Sequence, residues 1–394
     1  MRDYFADLHI HLGRTLNNQP VKITASPNLT LRNILTECQL RKGLDLVGIV
    51  DTASPGVLAE LEQMVKAGEL EPLADGGLRF KDRVTLILGA EFETTEPDGG
   101  QAHWLAYFPS LEQMWKFSRV MSRYVRNLNL STQRCQLSAT QLAELVWEIG
   151  GLFVPAHAFT PHKSVYGSCI SRLTALFPAD WKRIVALELG LSADSDLADH
   201  LAELRTVTYL SNSDAHSLEK IGREYNVVRL ARPSYEELVK ALQNAEGRQI
   251  VGNYGLDPRL GKYHRSSCLL CHTIARDIPP PVSNCPNCGS ERIVKGVLDR
   301  LVEIADYSVP VHPPQRAPYY HQIPLRFLPG VGERTVTHLI DRFGSEMAVL
   351  HAASPGELAE VIGEKTAELI IQARQGKLNL AAGGGGRYGR VIEI

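Results

Sequence analysis

Two histidines one residue apart, His9-Ile-His11, close a short apolar run near the start of the chain. Alternate side chains of a strand share a face, so both imidazoles can reach one cation. Glu91 and Asp214 end later apolar runs and supply carboxylates, which can bridge two ions. His103, His157 and His216 complete the set, and Asp214-Ala-His216 repeats the spacing of the first pair. Asp51 and Glu188 stand at equivalent places, either as further ligands or as helix caps and loop anchors. Imidazole mixed with carboxylate favours zinc, manganese or iron over magnesium alone. Two neighbouring cations suit phosphodiester hydrolysis, activating water and offsetting charge at phosphorus. Any one of these residues alone would read as an ordinary core or surface side chain. Their recurrence at successive strand ends argues for a shared centre, with His9, His11, Glu91 and Asp214 at its catalytic heart.

A second constellation is Cys268-Leu-Leu-Cys271 with Cys285-Pro-Asn-Cys288. Each pair offers two thiolates from a tight turn, and two pairs complete a tetrahedral structural zinc site with no open position for catalysis. A redox dithiol is the lesser reading. Seven cysteines, an odd and uneven set, suit a reducing cytoplasm better than a disulfide framework.

A third is Leu328-Pro-Gly-Val-Gly332 ahead of a helix from Glu333, followed by a second unit whose Ile362-Gly363-Glu364-Lys365 turns into another helix. Glycines let the backbone approach an anion closely, and the free N–H groups at a helix start can hold a DNA phosphate. Gly330, Gly332, Arg334, Thr335, Gly363, Lys365 and Thr366 are the expected contacts. Such contacts position a protein on DNA without reading sequence. A helical bundle for protein docking is the alternative.

The elements that must position these groups follow from periodicity. Apolar, β-branched runs end in His, Asp or Glu at Tyr4–His9, Leu46–Asp51, Val84–Glu91, Leu152–His157, Val185–Glu188 and Val207–Asp214, whereas His103 opens its run, His103–Phe108. Helical stretches lie between them at Leu31–Lys42, Pro55–Ala67, Leu111–Asn127, Ala139–Ile149 and Leu197–Leu204. Alternation of this kind implies parallel pairing in an α/β fold, with chemistry gathered at the strand ends. Val251–Tyr263 is rich in Gly and Pro and reads as a boundary. Val309–Pro318 reads as a Pro-rich linker, and the Gly383–Gly386 tail as flexible, with a possible short strand at its end.

The expected organisation is a barrel over 1–250, a zinc-binding module over 251–308, a linker over 309–322, tandem hairpins over 323–380 and a tail over 381–394. The whole chain carries a net charge of −2, which does not advertise a nucleic-acid binder. From Arg259 onward, however, Lys and Arg number 16 against 13 Asp and Glu. An acidic half can still meet phosphate if it carries divalent cations. No apolar run of about 18 residues and no secretory leader is evident, so a cytoplasmic location is expected.

The motifs DLHIH (7–11), GIVD (48–51), GAEFE (89–93), PAHAF (155–159) and SNSDAH (211–216) resemble the polymerase-and-histidinol-phosphatase (PHP) superfamily of phosphoesterases. That resemblance implies a distorted (βα)7 barrel with up to three metals held by His9, His11, Glu91, His103, His157, Asp214 and His216. Two departures touch the middle metal: Asp51-Thr52 replaces the usual Asp-His, and Gly13–Asn18 lacks a histidine often found there. With the zinc module and the tandem helix-hairpin-helix units, the whole order resembles the endonuclease Q family. This implies nicking of DNA on the 5′ side of deaminated bases (uracil, hypoxanthine, xanthine) or abasic sites, with a cluster of two or three Zn, Mn, Fe or Mg ions, one structural zinc, and possible replication or repair partners. Asn212, Ser213 and the loop Phe159–Ser168 are candidates for reading the base. A phosphatase of a small ester and a non-catalytic DNA-binding scaffold are the rivals.

Overall fold

The computed structural model describes residues 1–96 and 99–392. The ring around which the molecule is built uses β1 (Arg2–Ile10), β2 (Leu46–Ile49), β5 (Val84–Thr95), β6 (Gln101–Phe108), β7 (Leu152–Pro155), β8 (Ala186–Glu188) and β9 (Thr208–Leu210). The short β3 (Leu70–Pro72) and β4 (Leu78–Phe80) form a flap on β5. β1, β2 and β5 are parallel, as the alternation of strand and helix predicts, but β6 runs antiparallel to both β5 and β7. The ring closes where the Ala158 amide donates to the Glu188 carbonyl and the His11 amide to the Ala215 carbonyl. This is a distorted (βα)7 barrel.

Burial divides along the pleat. Ile87, Leu105, Tyr107, Val154 and Ala186 fill the barrel, while Leu86, Leu88, Ala106, Phe108 and Phe153 face the surrounding helices. Those helices include α1 (Leu31–Glu37), α2 (Pro55–Lys66), α3 (Leu111–Met121) and α4 (Ala139–Glu148). Thr30, Ser110 and Ser138 cap three of them by accepting the N–H three residues on, a contribution of about 1 kcal/mol each. α3 stops at Met121, short of the predicted Asn127. The helix expected over Leu197–Leu204 is broken into Ser195–Ala198 and a 3-10 turn over Ala202–Thr206. The break falls at Asp199, whose buried carboxylate is claimed by Tyr209, His312 and Arg316.

β10 (Tyr225–Leu230) and β11 (Gln249–Gly255) extend the sheet from β1 and flank α5 (Tyr235–Leu242). The cysteine segment follows, with β12 (Ser267–Cys268) paired to β13 (Ile293–Val294), and then α6 (Val297–Ile304). The Pro-rich stretch is no loose linker. Arg316 lies 3.4 Å over the Tyr209 ring while gripping Asp199, and β14 (Tyr319–His321) joins β11 in parallel.

Four helices, α7 (Glu333–Phe343), α8 (Glu346–His351), α9 (Pro355–Ile362) and α10 (Glu364–Arg374), form the C-terminal bundle. The tail, expected to be flexible, folds into a hairpin of β15 (Leu380–Ala381) and β16 (Arg390–Val391). It docks on the barrel–cysteine junction through Gly383 N–H to Arg259 and Gly389 N–H to Leu260. Its last two residues lie outside the described residues. No described helix is long and apolar enough to cross a membrane.

Candidate metal centre

β1 carries the first pair of imidazoles, and a register shift against β2 between Asp7 and Ile10 determines where they point. Ala6 and Leu8 pack in the barrel interior, whereas Ile10, beyond the shift, packs outward. A bulge of this kind re-aims side chains, and it turns both His9 and His11 inward. Their Nε2 atoms lie 3.3 Å apart and 3.6 and 3.4 Å from Asp214 Oδ1. Glu91 continues the inward face of β5 begun by Ile87, and His103 continues that of Leu105 and Tyr107 on β6. Because β6 is antiparallel, its first residues reach the same end of the barrel as the last residues of its neighbours. This accounts for the histidine that opens its run.

Ligand-type atoms converge in two groups, His9–His11–Asp214 and Glu91–His103–His157, each with its members within 4.8 Å of one another. Glu91 Oε1 stands 3.0 Å from His103 Nδ1, 3.5 Å from His157 Nε2 and 3.7 Å from His9 Nε2. Neither ring nitrogen of the buried His103 makes a hydrogen bond. Buried nitrogens left unpaired beside carboxylate oxygens are what a cation would satisfy. The donor set therefore fits divalent metal.

Three predicted candidates stand elsewhere. Glu188 and Asp51 lie behind the imidazoles rather than beside them: Glu188 Oε2 is 2.9 Å from His9 Nδ1 and Asp51 Oδ1 is 3.1 Å from His11 Nδ1. They orient the rings and leave each Nε2 free to ligate. His216 lies outside both groups, at the rim, with its Nδ1 3.0 Å from the Asp214 carbonyl.

Burial would raise the Glu91 carboxyl, but the Lys22 ammonium and His103 hold it well below the usual range. Burial would likewise raise Asp214, which His9 and His11 instead hold low. Burial opposes charge on His9, yet Glu188, Asp214 and Glu91 raise it to about 10. For His216 burial prevails and pushes it down to about 4. His157, Asp214 and Thr132 all adopt positive φ, at 30°, 45° and 52°. Conformations of this kind are costly for non-glycine residues and cluster at working sites.

Sequence reasoning missed several neighbours. Lys22 lies 3.2 Å from Glu91 Oε2; one lysine in a loop carries no periodic signal. Arg223 donates to the carbonyls of Ser213 and Asp214 and to the Tyr388 hydroxyl, tying the tail to the turn that carries Asp214. A cavity of about 400 Å³ beside Asp214 is lined by His162, Asn212, Lys220, Lys262, Tyr263 and Tyr388 among others. Asn212 Oδ1 accepts from the Leu8 amide and Asn226, which leaves its buried Nδ2 without a partner.

The four cysteines of the second constellation converge, with Cys268 and Cys288 Sγ 3.7 Å apart and Cys271 and Cys285 Sγ 3.4 Å apart. At the C-terminal bundle, Gly330 and Gly363 have φ near +78° and +79°. A Cβ added at Gly330, Gly332 or Gly363 would meet open space, so the N-termini of α7 and α10 are approachable. Arg334 and Lys365 are exposed and Thr335 and Thr366 half-buried. Gly330, Lys365 and Thr366 line one groove, so the two hairpin turns share a face.

Comparison with known proteins agrees with this geometry. A PHP-associated family profile matches residues 194–246, and a SAM-like helix-hairpin-helix tandem profile matches residues 324–375. The protein YqxK of Bacillus subtilis is 47% identical over 99% of this chain and 100% of its own length. The crystal structure of the lesion-specific endonuclease PfuEndoQ from Pyrococcus furiosus superposes with a TM-score of 0.83 at 35% identity, covering 99% of this chain and 95% of that one. An endonuclease Q complex with a 27-mer duplex substrate, bearing an abasic lesion at the active site, superposes at 0.84 and 34% identity, covering 100% and 97%.

Proposed function

The chain belongs to the endonuclease Q family, and from that premise we propose that it is a DNA-repair hydrolase that nicks the strand 5′ of deaminated bases or abasic sites. The observation that carries the reading is the meeting of His9, His11, Glu91, His103, His157 and Asp214 at one barrel mouth, beside a recess with basic and aromatic walls.

His9, His11 and Asp214 would hold one cation, and Glu91, His103 and His157 a second. When bound, such ions supply a nucleophilic water and offset charge on the phosphate. The chain's own residues do the rest. Glu188 and Asp51 fix the imidazole rings, and Arg223 braces the turn at Asp214. Lys220 and Lys262 line the approach with positive charge, which draws in the phosphate backbone. Tyr263, Tyr388 and His162 offer rings on which an extruded nucleotide stacks, as nucleic-acid sites commonly provide. Extrusion costs a few kcal/mol and least where pairing is already weak, which favours damaged positions.

Deamination replaces an exocyclic amine with a carbonyl. An unpaired amide donor at the recess, Asn212 Nδ2, suits the carbonyl and leaves an amine unmatched. The four thiolates of Cys268, Cys271, Cys285 and Cys288 would hold a structural zinc. The hairpin turns at Gly330–Thr335 and Gly363–Thr366 would grip phosphates on either side.

The test is incubation with duplexes carrying uracil, hypoxanthine or an abasic site, with and without manganese or magnesium. Metal-dependent nicking 5′ of the lesion is expected from the unaltered protein. Asp214→Ala should lose nicking by at least three orders of magnitude, on the order of the loss when a catalytic unit is broken, while retaining DNA affinity. Undiminished nicking by that variant, or hydrolysis of a small phosphate monoester with no nicking, overturns the assignment.

A further inference from the structure

Ile23 is 75% exposed, more than any other large apolar side chain among the described residues. A single exposed apolar side chain is ordinary on a protein surface, but this one stands in a turn fastened at both ends. The Val21 amide donates to the Gly13 carbonyl, Lys22 to Leu12, Ala25 to Lys22 and Ser26 to His216. The Ser131 amide donates to Val21, and the Lys22 ammonium reaches Glu91 Oε2 at 3.2 Å. Val21 and Ala25, on either side of Ile23, are buried. Loops are usually the mobile parts of a surface, whereas this one is pinned and holds its apolar tip in solvent.

Two recesses meet at the turn. The cavity of about 400 Å³ beside Asp214 has a neighbour of about 380 Å³, walled by Lys22, Ile23, Glu91, His103 and Lys163 among others. Thr24, His157, Asp214 and His216 line both. The seam between the recesses therefore runs over the ligand cluster, and Ile23 is next in the chain to the shared Thr24.

We propose that Ile23 is a wedge that enters the base stack between the extruded nucleotide and its 5′ neighbour while the phosphate joining them lies over the cluster. The proposal rests on the reading that DNA is nicked at this mouth beside an extruded nucleotide. A phosphate at the seam has one nucleotide on each side of it. The extruded one occupies the recess with basic and aromatic walls, and its neighbour lies toward the other recess, past Ile23. Nucleic-acid proteins insert apolar side chains between base steps and partly unstack them. Isoleucine suits the task, since branching at Cβ stiffens the side chain and its apolar surface covers the base face that stacking has lost. A turn that is already pinned loses little further freedom on entering DNA.

A wedge acts on stacking, so it matters where a base must be unstacked and much less at an abasic site. Full-length protein is assayed on duplexes that differ only in carrying uracil or an abasic site. Ile23→Ser should lower the ratio of uracil to abasic nicking rates about tenfold, a part of what unstacking a base step costs, and Ile23→Leu should keep the ratio. A second measurement uses Asp214→Ala, which leaves the strand intact. At saturating protein, 2-aminopurine placed 5′ of the uracil should brighten as it unstacks, and adding Ile23→Ser should remove most of that brightening. An unchanged ratio, an equal loss on both lesions, or undiminished brightening overturns the proposal. Nicking of neither duplex by the unaltered protein would instead sink the endonuclease reading on which it rests.

Discussion

An imidazole is a dependable metal ligand only when its second nitrogen is held. Glu188 and Asp51 do this for His9 and His11, at 2.9 and 3.1 Å, from fully buried positions. Losing such a partner typically lowers metal affinity about 10- to 100-fold. Glu188→Gln should therefore weaken barrel metal binding by that factor, measured by competition against a chelator, while metal binding at the four cysteines is unchanged. Unchanged affinity would show that the ring is held by packing alone. The same geometry explains why the sequence left the two acids open between ligands and anchors: they stand at strand ends, where a pattern cannot tell the front of an imidazole from its back. His216 is the converse case. It shares the spacing of the first pair, but it stands at the rim outside both groups, with its Nδ1 by the Asp214 carbonyl.

Among the elements, two departures from regular α/β pairing build the site. The register shift in β1 lets neighbouring residues change sides of the sheet, and the reversed direction of β6 brings a strand's beginning to the mouth of the barrel. A third element, the tail hairpin, depends on glycine for proximity. An added Cβ at Gly383 would fall 2.5 Å from the Gly261 carbonyl oxygen and 2.6 Å from the Gly389 nitrogen, all backbone atoms. Gly383→Ala should therefore undock the hairpin. The readout is hydrogen exchange at the Gly389 amide, now bonded to the Leu260 carbonyl at 2.9 Å. Faster exchange is expected there, with the barrel strands unaffected; exchange as slow as in the unaltered protein would show that the junction yields. Composition suggested a flexible tail because glycine serves both flexible linkers and close backbone contact, and composition cannot separate the two.

For the whole molecule, the C-terminal bundle presents the turns before α7 and α10 on one face, and in the proposed function each meets a phosphate. Electrostatic contacts of this kind release counterions, with a salt slope of about 0.9 per phosphate on duplex DNA. Lys365→Ala should flatten the dependence of DNA affinity on salt by about that amount and weaken damaged and undamaged duplexes alike. A loss confined to damaged duplexes would instead place Lys365 in lesion reading. The bundle is also fastened to the barrel, through Lys42 to Glu346 at 2.8 Å and Arg41 to Glu333 at 3.0 Å. The helical bundle and the barrel mouth are thus parts of one body.

The sequence by itself determined the types of chemistry and their number. His-x-His, strand-terminal acids, two Cys-x-x-Cys pairs and two glycine turns before helices were all legible, because each is a local spacing with a local physical meaning. So was the α/β alternation, since the pleat and the helix impose their periods on burial. Tertiary structure decided what those spacings could not: which acids face the imidazole Nε2 atoms and which stand behind the rings, that Lys22 faces Glu91 across 69 intervening steps of chain, and that the Pro-rich and Gly-rich segments are fastened down. These depend on strand direction, one register shift and contacts between residues remote in sequence, and none of them leaves a periodic trace along the chain.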